Sequence, residues 1–353
     1  MNPPHCRFSR ILIVQTAFIG DVILITPLIR AVNDLYPQAK LDVMVVPEAA
    51  GLLNNNPYID RIIRFDKRRS RTSFFQIVKQ LRLARYDLVI SPHSSFTTHL
   101  LLWMSGATVR IGYARGFLSG ILMTQQVPHP KGIHKILKNL SLLTPLTNRS
   151  FSIQTELFPG PEDEKHADEL LSSLLDPDRP LIAIAPGSIW NTKRWPLEYY
   201  NQLVKSLLKN GFSIVLIGGE SDRSQCDHLL KDNHPANSVT QIINTAGKSN
   251  LLTSSAILKR AKLLICNDSG ALHMANAVKT KVFAFFGPTV KRIGYYPYQP
   301  EDHVFEVDLD CRPCGSHGGN RCPLGHHNCM NKIMPEEVLI KVLKTLDPEE
   351  IGQ

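Results

Sequence analysis

Four polar stretches of this chain carry residues suited to binding and transferring a charged group. The most crowded is Asn267-Asp268-Ser269-Gly270, which separates an apolar run from a second apolar segment containing His273. A strand-to-helix turn needs only an N-cap residue and at most a glycine. The extra polar groups therefore indicate a bound ligand, and free N–H groups at the helix start, residues 270–272, favour an anion. His273 is either a further donor or an ordinary first-turn histidine.

A second stretch, APGSIWNTKRWP at 185–196, places two cations directly before a predicted helix. Ser188 follows the predicted strand, and Lys193 and Arg194 precede Pro196, a residue type favoured at the first helical position. The helix dipole prefers negative charge at that end. A phosphate bound beside the two cations would resolve the conflict.

Two further stretches supply carboxylates. QTAFIGD at 15–21 places Asp21 at a helix start, where it is either an N-cap or a general base. Its one glycine, Gly20, falls short of the G-x-G-x-x-G fingerprint of dinucleotide binding. IGGESDRSQC at 217–226 places Glu220 where nucleotide-binding folds often grip ribose hydroxyls with an acid. The alternative is first-turn helix charge, for which Asp222 is equally suited.

Short apolar runs alternate with helix-length segments along the chain. The runs are continuous rather than alternating, which is typical of parallel strands covered on both faces. Strand–helix alternation predicts an α/β fold of doubly wound parallel sheets, whose ligands bind beyond the carboxyl ends of the strands. The predicted strands lie at 11–16, 41–47, 61–66, 86–93, 181–187, 212–219, 262–270 and 281–288.

A polar, proline-rich interval near residues 160–180 predicts a junction between two Rossmann-like domains that face a central cleft. We expect an N-terminal domain over 1–165 and a C-terminal domain over 180–334. A last helix within 335–353 begins with proline and two glutamates.

Composition restricts the class of protein. The chain has 353 residues, 43% hydrophobic and 20% charged, and a formal charge of +9, which suits anionic partners or an uncommitted basic surface. The N-terminal residues show no signal-peptide pattern, and no apolar run approaches the ~18 residues of a membrane span. These features predict a cytoplasmic protein with reduced thiols.

Four of the seven cysteines, Cys311, Cys314, Cys322 and Cys329, crowd into one short segment with three histidines nearby. This composition suits a structural zinc site, although only the first pair has the C-x-x-C spacing. Reduced buried thiols and a disulfide or redox pair are the alternatives.

A basic amphipathic segment, residues 66–85, mixes cations with apolar residues. It is either a surface for acidic membranes or acceptor phosphates, or a helix whose apolar face is buried and whose cations are solvated. The cations are Lys67, Arg68, Arg69, Arg71, Lys79, Arg82 and Arg85, and the apolar residues are Phe74, Phe75, Ile77, Val78 and Leu81.

With these motifs in order, the chain resembles the ADP-heptose:lipopolysaccharide heptosyltransferases, glycosyltransferases of family 9 with the two-Rossmann GT-B architecture. The resemblance is greatest to the heptosyltransferase II branch. It is carried by IGD with VILITPLIRAV, by APGSIWNTKRWP, IGGESD and NDSGALHMANAVKTKVFAFFGPT, and by the cysteine-bearing CRPCGSHGGNRCPLGHHNCMNKI. Together these motifs span about residues 10–333.

The resemblance implies inverting transfer of L-glycero-D-manno-heptose from ADP-heptose to the lipid A-linked inner core of lipopolysaccharide, at the cytoplasmic face of the inner membrane. No catalytic cofactor is implied. Asp21 matches the family's base, Lys193 the lysine at the donor phosphate and sugar, and Glu220 the ribose-binding acid. Asp268 matches an acid near the heptose. The remaining donor-binding positions are Thr16, Gly20, Ser188, Ser269, Gly270, Ala271, Leu272 and His273.

Two other functions compete with this one. A GT-B transferase of another nucleotide sugar or acceptor shares the same motifs. A zinc-stabilised nucleic-acid-binding protein would need basic residues interleaved with aromatic ones near the cysteines. Residues 311–333 contain just three cations and no aromatic residue, so we expect no nucleic-acid partner.

Overall fold

The computed structural model describes residues 8–66, 71–93, 95–114, 117–174, 179–233 and 240–346. The chain divides into two compact units, Met1–Phe158 and Pro159–Gln353. Lys67, Arg68 and Arg69 of the predicted basic segment lie outside the described residues, as does the end of the chain from 347.

The first unit contains a six-stranded parallel sheet with strand order β3-β2-β1-β4-β5-β6. Ile11 to Val14 of its central strand are all inaccessible to solvent. Since a parallel strand is covered on both faces, each of these positions is apolar, which explains the continuous apolar run in the sequence. The strands are β1 Arg10–Gln15, β2 Lys40–Val45, β3 Arg61–Arg64, β4 Leu88–Ser91, β5 Val109–Tyr113 and β6 Gln125–Val127.

Helices flank this sheet. The predicted helix after β1 is divided in two because Pro27 occupies an N-terminal position of the second helix, where its missing N–H is tolerated. The helices are α1 Ile19–Ile23, α2 Thr26–Leu35, α3 Pro47–Ala50, α4 Arg71–Ala84, α5 Phe96–Met104, α6 Phe117–Leu122 and α7 Lys135–Ser141.

The second unit repeats the architecture with strand order β12-β11-β10-β7-β8-β9, again all parallel. Its strands are β7 Leu181–Ala185, β8 Ser213–Leu216, β9 Ile242–Asn244, β10 Leu263–Asn267, β11 Lys281–Phe285 and β12 His303–Phe305. Its helices are α8 Pro161–Leu171, α9 Leu197–Lys209, α10 Arg223–Asn233, α11 Leu251–Arg260, α12 Gly270–Ala277, α13 Asn328–Asn331 and α14 Pro335–Thr345.

Helix α8 falls inside the interval predicted as a junction. It belongs to the second unit because Arg260 of α11 forms ion pairs of 2.6 Å with Glu164 and 2.7 Å with Asp168. The acidic composition of this interval therefore serves a helix–helix contact. The sequence prediction of two parallel-sheet Rossmann-like units is confirmed.

An aromatic cluster fixes the start of α9 on the second sheet. The indole ring of Trp195 stacks on Phe285 at a centroid distance of 4.3 Å and meets Tyr200 edge-on. Its Nε1–H donates to the carbonyl of Ile333, so the buried ring leaves no polar atom unsatisfied. Trp195 thereby anchors the loop that carries Lys193. Among the described residues, no helix is long and apolar enough to cross a bilayer.

Candidate active site

The central feature of the second unit is a buried carboxylate with two donors. Asp268 follows β10 directly, and its Oδ2 accepts from Lys193 Nζ at 2.6 Å and from Thr289 Oγ1 at 2.6 Å. Lys193 lies in the loop after β7, and Thr289 in the loop after β11. Since β7, β10 and β11 are neighbours, their carboxyl ends bring the three side chains to one edge of the sheet. Little of Asp268 is exposed, which strengthens these charged contacts.

Asn267 holds the segment that carries this carboxylate in place. The Oδ1 of its fully buried side chain accepts from the backbone N–H of Trp195 at 2.9 Å and from the Tyr200 hydroxyl at 3.2 Å. Its amide donates to the carbonyls of Pro186 and Gly187. One amide therefore joins the end of β10 to both ends of the loop that holds Lys193.

Helix α12 starts directly after Asp268 and Ser269. Helix α12 begins at Gly270, and the side chain of its N-cap residue Ser269 makes no capping hydrogen bond. Ser269, Gly270 and Ala271 are partly exposed, whereas Leu272 and His273 are buried. The His273 ring lies 6.2 Å from that of Tyr295. The helix thus presents its N-terminal backbone and dipole beside Asp268, an arrangement suited to an anionic ligand.

The two cations before α9 have partners other than a shared anion. Lys193 ends the 3₁₀ turn Asn191–Lys193 and pairs with Asp268, while Arg194 donates twice to the carbonyl of Ser188, at 2.9 and 2.7 Å. Pro196 is the N-cap of α9 and not its first residue. The conflict with the helix dipole is therefore relieved within the protein, and of the two cations it is Lys193 that pairs with Asp268.

Glu220 and Asp222 have different roles. Asp222 Oδ2 accepts from the Gly219 N–H at 3.0 Å and lies against the backbone of Gly187 and Gly218, so it serves as the local cap. The Glu220 side chain is 72% exposed and contacts Arg223 at 3.4 Å. Both acids lie in the first turn of the 3₁₀ helix Glu220–Asp222, and Asp222 makes the capping hydrogen bond.

Asp21 lies at the corresponding edge of the first sheet. It is the third residue of α1, whose N-cap is Phe18, so the N-cap interpretation of Asp21 is wrong. Its Oδ1 lies 4.0 Å from Lys135 Nζ, and the side chains are each 12% exposed. Burial lowers the pKa of Lys135, an effect that the charge of Asp21 partly offsets. Gly20 precedes Asp21 in the same short helix.

Thr16 belongs to a small hydroxyl cluster after β1 and β4. Its Oγ1 lies 3.4 Å from that of Thr98, and Thr98 lies 2.8 Å from Ser95 Oγ and 3.2 Å from His93 Nδ1. These polar atoms line the same edge of the first sheet as α1.

The cysteine segment contains free thiols. Cys311, Cys314, Cys322 and Cys329 are all unpaired with one another, so the disulfide alternative is wrong for this structure. Within the described parts of the chain, no three His, Cys, Asp or Glu side chains are grouped to hold a metal ion. The zinc site stays a prediction of the sequence.

Sequence reasoning missed two polar residues of these clusters. Thr289 lies in the motif GPT, which follows the strand residues FAFF. Its hydroxyl at the end of a parallel strand is the signal that could have identified it. Lys135 gave no comparable signal, since it lies in a helix more than one hundred residues from Asp21. Their proximity is a product of the tertiary fold.

Solved structures share this fold. The chain superimposes on a family 9 glycosyl transferase from Veillonella parvula with a TM-score of 0.83 and 24% identity, covering 98% of this chain and 99% of that one. It superimposes on the E. coli ADP-heptose lps heptosyltransferase II with a TM-score of 0.79 and 23% identity, covering 97% and 100%. The fold is that of the two-sheet GT-B glycosyltransferases.

The sequence defines the family. Residues 74–322 match the model of glycosyltransferase family 9 (heptosyltransferase), and this chain belongs to that family. It is 27% identical over 347 residues to lipopolysaccharide heptosyltransferase 3 of Escherichia coli K12, covering 94% of this chain and 96% of that protein. The family predicted from these motifs is confirmed.

Proposed function

We propose that this chain transfers L-glycero-D-manno-heptose from ADP-heptose to the inner core of lipopolysaccharide, with inversion at the anomeric carbon. Family membership and relatives named for this activity support the proposal. The observation that carries it is the Lys193–Asp268–Thr289 cluster beside the start of α12. A half-buried cation, a buried carboxylate and the start of a helix suit a sugar attached to a diphosphate.

The second unit supplies the donor chemistry in this proposal. As the bond from the anomeric carbon to the diphosphate breaks, negative charge grows on the leaving ADP. Lys193 and the N–H groups at Ser269–Gly270–Ala271 stabilise that charge where it develops. Asp268 orients the heptose hydroxyls, and Glu220 binds the ribose. Ser188, Leu272 and His273 complete the donor-binding set through the loop after β7 and the first turns of α12.

The first unit supplies the base. The Asp21 carboxylate takes the proton of the acceptor hydroxyl as its oxygen attacks the anomeric carbon. Lys135 Nζ lies 4.0 Å from this carboxylate, and the low exposure of both side chains strengthens the attraction between their charges. Gly20 and Thr16 belong to the polar surroundings of that base.

An assay of transfer tests the proposal. The purified chain is incubated with ADP-heptose and truncated core acceptors, and ADP release and product mass are measured. We expect acceptor-dependent ADP release by the wild type. We expect Asp21→Asn to lose at least about 100-fold in kcat, because it keeps the shape of the side chain but cannot accept the proton. ADP affinity, measured by calorimetry, should change little.

Two outcomes would count against the proposal. Near-normal turnover by Asp21→Asn would remove the base assignment. Turnover with another ADP-sugar, and none with ADP-heptose, would assign the chain to a GT-B transferase of different specificity.

We also propose that the acceptor is met at an anionic inner-membrane surface through α4. Val78 and Leu81 of this helix are buried in the core, so its apolar face packs on the sheet as the sequence allowed. Phe75 and Leu83 are 61% and 73% exposed, and Lys79 is exposed beside them. Exposed apolar and cationic side chains on one helix suit a membrane whose lipid head groups are acidic.

A further inference from the structure

The cysteine-bearing segment, residues 311–329, contacts two loops of the donor site. We call this segment the strap. Most of its contacts with the donor loops are made by residues other than its cysteines. Those loops carry Lys193 and Thr289, the two side chains that donate to Asp268.

The first contact joins the strap to the loop after β11. The Arg312 guanidinium donates to the carbonyls of Gly287 at 2.5 Å, Phe286 at 2.8 Å and Thr289 at 2.9 Å. The side chain is 5% exposed and also pairs with Glu306. The Cys314 N–H donates to the carbonyl of Pro288 at 3.0 Å. The backbone on both sides of Thr289 is therefore held by the strap.

The second contact joins the strap to the 3₁₀ turn that ends at Lys193. The N–H and Oγ1 of Thr192 both donate to the carbonyl of Gly319, at 3.0 and 2.9 Å. The Gly319 N–H donates back to Thr192 Oγ1 at 2.8 Å. His327 Nε2 lies 2.8 Å from the Thr192 carbonyl. Thr192 thus uses its backbone and its side chain to bind the strap.

Gly318 brings the strap against Lys193 itself. A Cβ at this position would lie 2.6 Å from Trp190 Cβ and 3.0 Å from Lys193 Cγ. Atoms at these distances must move apart. The φ of Gly318 lies outside the left-handed region, so the close approach, and not backbone conformation, requires glycine here.

We infer that the strap is a positioning element for the donor site, with Gly318 and Thr192 as positioning residues that act through Lys193. This inference rests on the proposed function. The lysine stem is long and flexible, and its ammonium is useful only where charge develops on the leaving diphosphate. By packing on the stem and holding the turn, the strap keeps Lys193 Nζ within reach of the diphosphate.

The first test compares two glycines of the strap. Gly318→Ala should lower kcat by about 10- to 100-fold, with a smaller change in the KM for ADP-heptose, because a small displacement of Lys193 weakens transition-state stabilisation most. Gly315→Ala is the matched control. Its added Cβ would meet nothing closer than 3.8 Å, and we expect kcat within about twofold of the wild type.

The second test removes the hydroxyl of Thr192. Thr192→Val keeps the side-chain shape but loses the bonds through Oγ1, whereas Thr192→Ser retains them. Hydrogen exchange of the Gly319 amide should accelerate in the valine variant and stay near wild type in the serine variant. The kcat should fall in the first and be restored in the second.

The readouts separate this inference from the proposed function. An inactive wild type overturns the function, while the exchange measurement still tests the contact between Thr192 and Gly319. If Gly318→Ala and Thr192→Val both keep wild-type kcat in an active enzyme, the positioning role is excluded. If Gly318→Ala fails to fold, the comparison of valine with serine at position 192 decides.

Discussion

At the residue scale, the proposed donor site depends on one carboxylate oxygen. Asp268 Oδ2 receives both Lys193 and Thr289, so the lysine charge is balanced before any ligand binds. The attraction between the two charges offsets the cost of removing most of the Lys193 side chain from water. It also holds both donors still, which is the condition for stabilising charge as it develops.

The thiols of the strap differ in chemistry despite their proximity. The N–H of His327 holds the pKa of Cys322 below its usual range, with help from the N–H groups of Leu324, Gly325 and His326, while burial opposes the effect. Burial raises the pKa of Cys329 to about 11 and also raises the pKa of Cys314. The thiolate of Cys322 therefore forms at the lowest pH of these three.

We expect Cys322 to be alkylated by iodoacetamide before Cys314, although Cys314 is the more exposed. A lowered pKa means that the reactive thiolate is present at lower pH, so the rate at Cys322 should level off at a pH where that at Cys314 is still rising. Peptide mass spectrometry over about pH 6 to 9 measures both sites in one sample. Faster labelling of Cys314 throughout would show that exposure, rather than thiolate fraction, controls the reaction.

At the scale of elements, the corner between β10 and α12 organises the site. The strand end brings Asn267 beneath the loop after β7, and the next residue, Asp268, faces Lys193. A parallel sheet makes this possible, because neighbouring strands end at the same edge. The corner therefore combines a structural amide and the carboxylate of the proposed donor site in consecutive positions.

Asn267→Ala should lower the free energy of unfolding of the second unit by about 2–4 kcal/mol, since it leaves the buried Trp195 N–H and the Pro186 carbonyl without their partner. Urea unfolding followed by tryptophan fluorescence measures this change in stability, because two of the three tryptophans, Trp190 and Trp195, lie in the loop after β7.

Asn210→Ala is the control for that measurement. Asn210 is exposed and bonds locally to Ser206, so its loss should change the unfolding free energy by no more than about 0.5 kcal/mol. Equal effects of the two substitutions would mean that Asn267 does not organise the corner.

At the scale of the whole molecule, the chain has a formal charge of +9 and two units of the same architecture. The proposed acceptor is an anionic glycolipid, so net positive charge favours encounter with the surface that contains it. In the first unit, the exposed face of α4 carries positively charged side chains.

We expect the chain to co-sediment with vesicles of anionic lipid, and the bound fraction to fall as salt is raised, because salt screens charges near a surface. Lys79→Glu in α4 with Arg85→Glu directly after it should weaken binding about 30-fold, since each of the two cations contributes about 1 kcal/mol near the surface. Lys205→Glu with Lys209→Glu makes the same charge change on exposed residues of α9. Equal loss in both pairs would show that net charge, and not α4, determines binding.

The central strands and the residues at their ends could be predicted from the sequence. Continuous apolar runs mark buried parallel strands, and the polar residues after them, such as Asp268 and Lys193, fall at the carboxyl ends of the strands. The short strands β6, β9 and β12 have three residues each, too few for such a run to be distinctive. Strand β5 was missed because Arg110 and Gly112 interrupt its apolar pattern.

Local sequence determines how a residue interacts with its neighbours along the chain. This information is sufficient to predict the family, the two sheets and the four polar stretches. Contacts between distant segments were decided by the tertiary structure alone. Lys135 reaches Asp21, Thr289 reaches Asp268, and Gly318 packs against Lys193. The stretch NDSGALHMANAV predicted a ligand. Only folding showed that its carboxylate is held by donors from two other loops, because hydrogen bonding and close packing act through space, not along the chain.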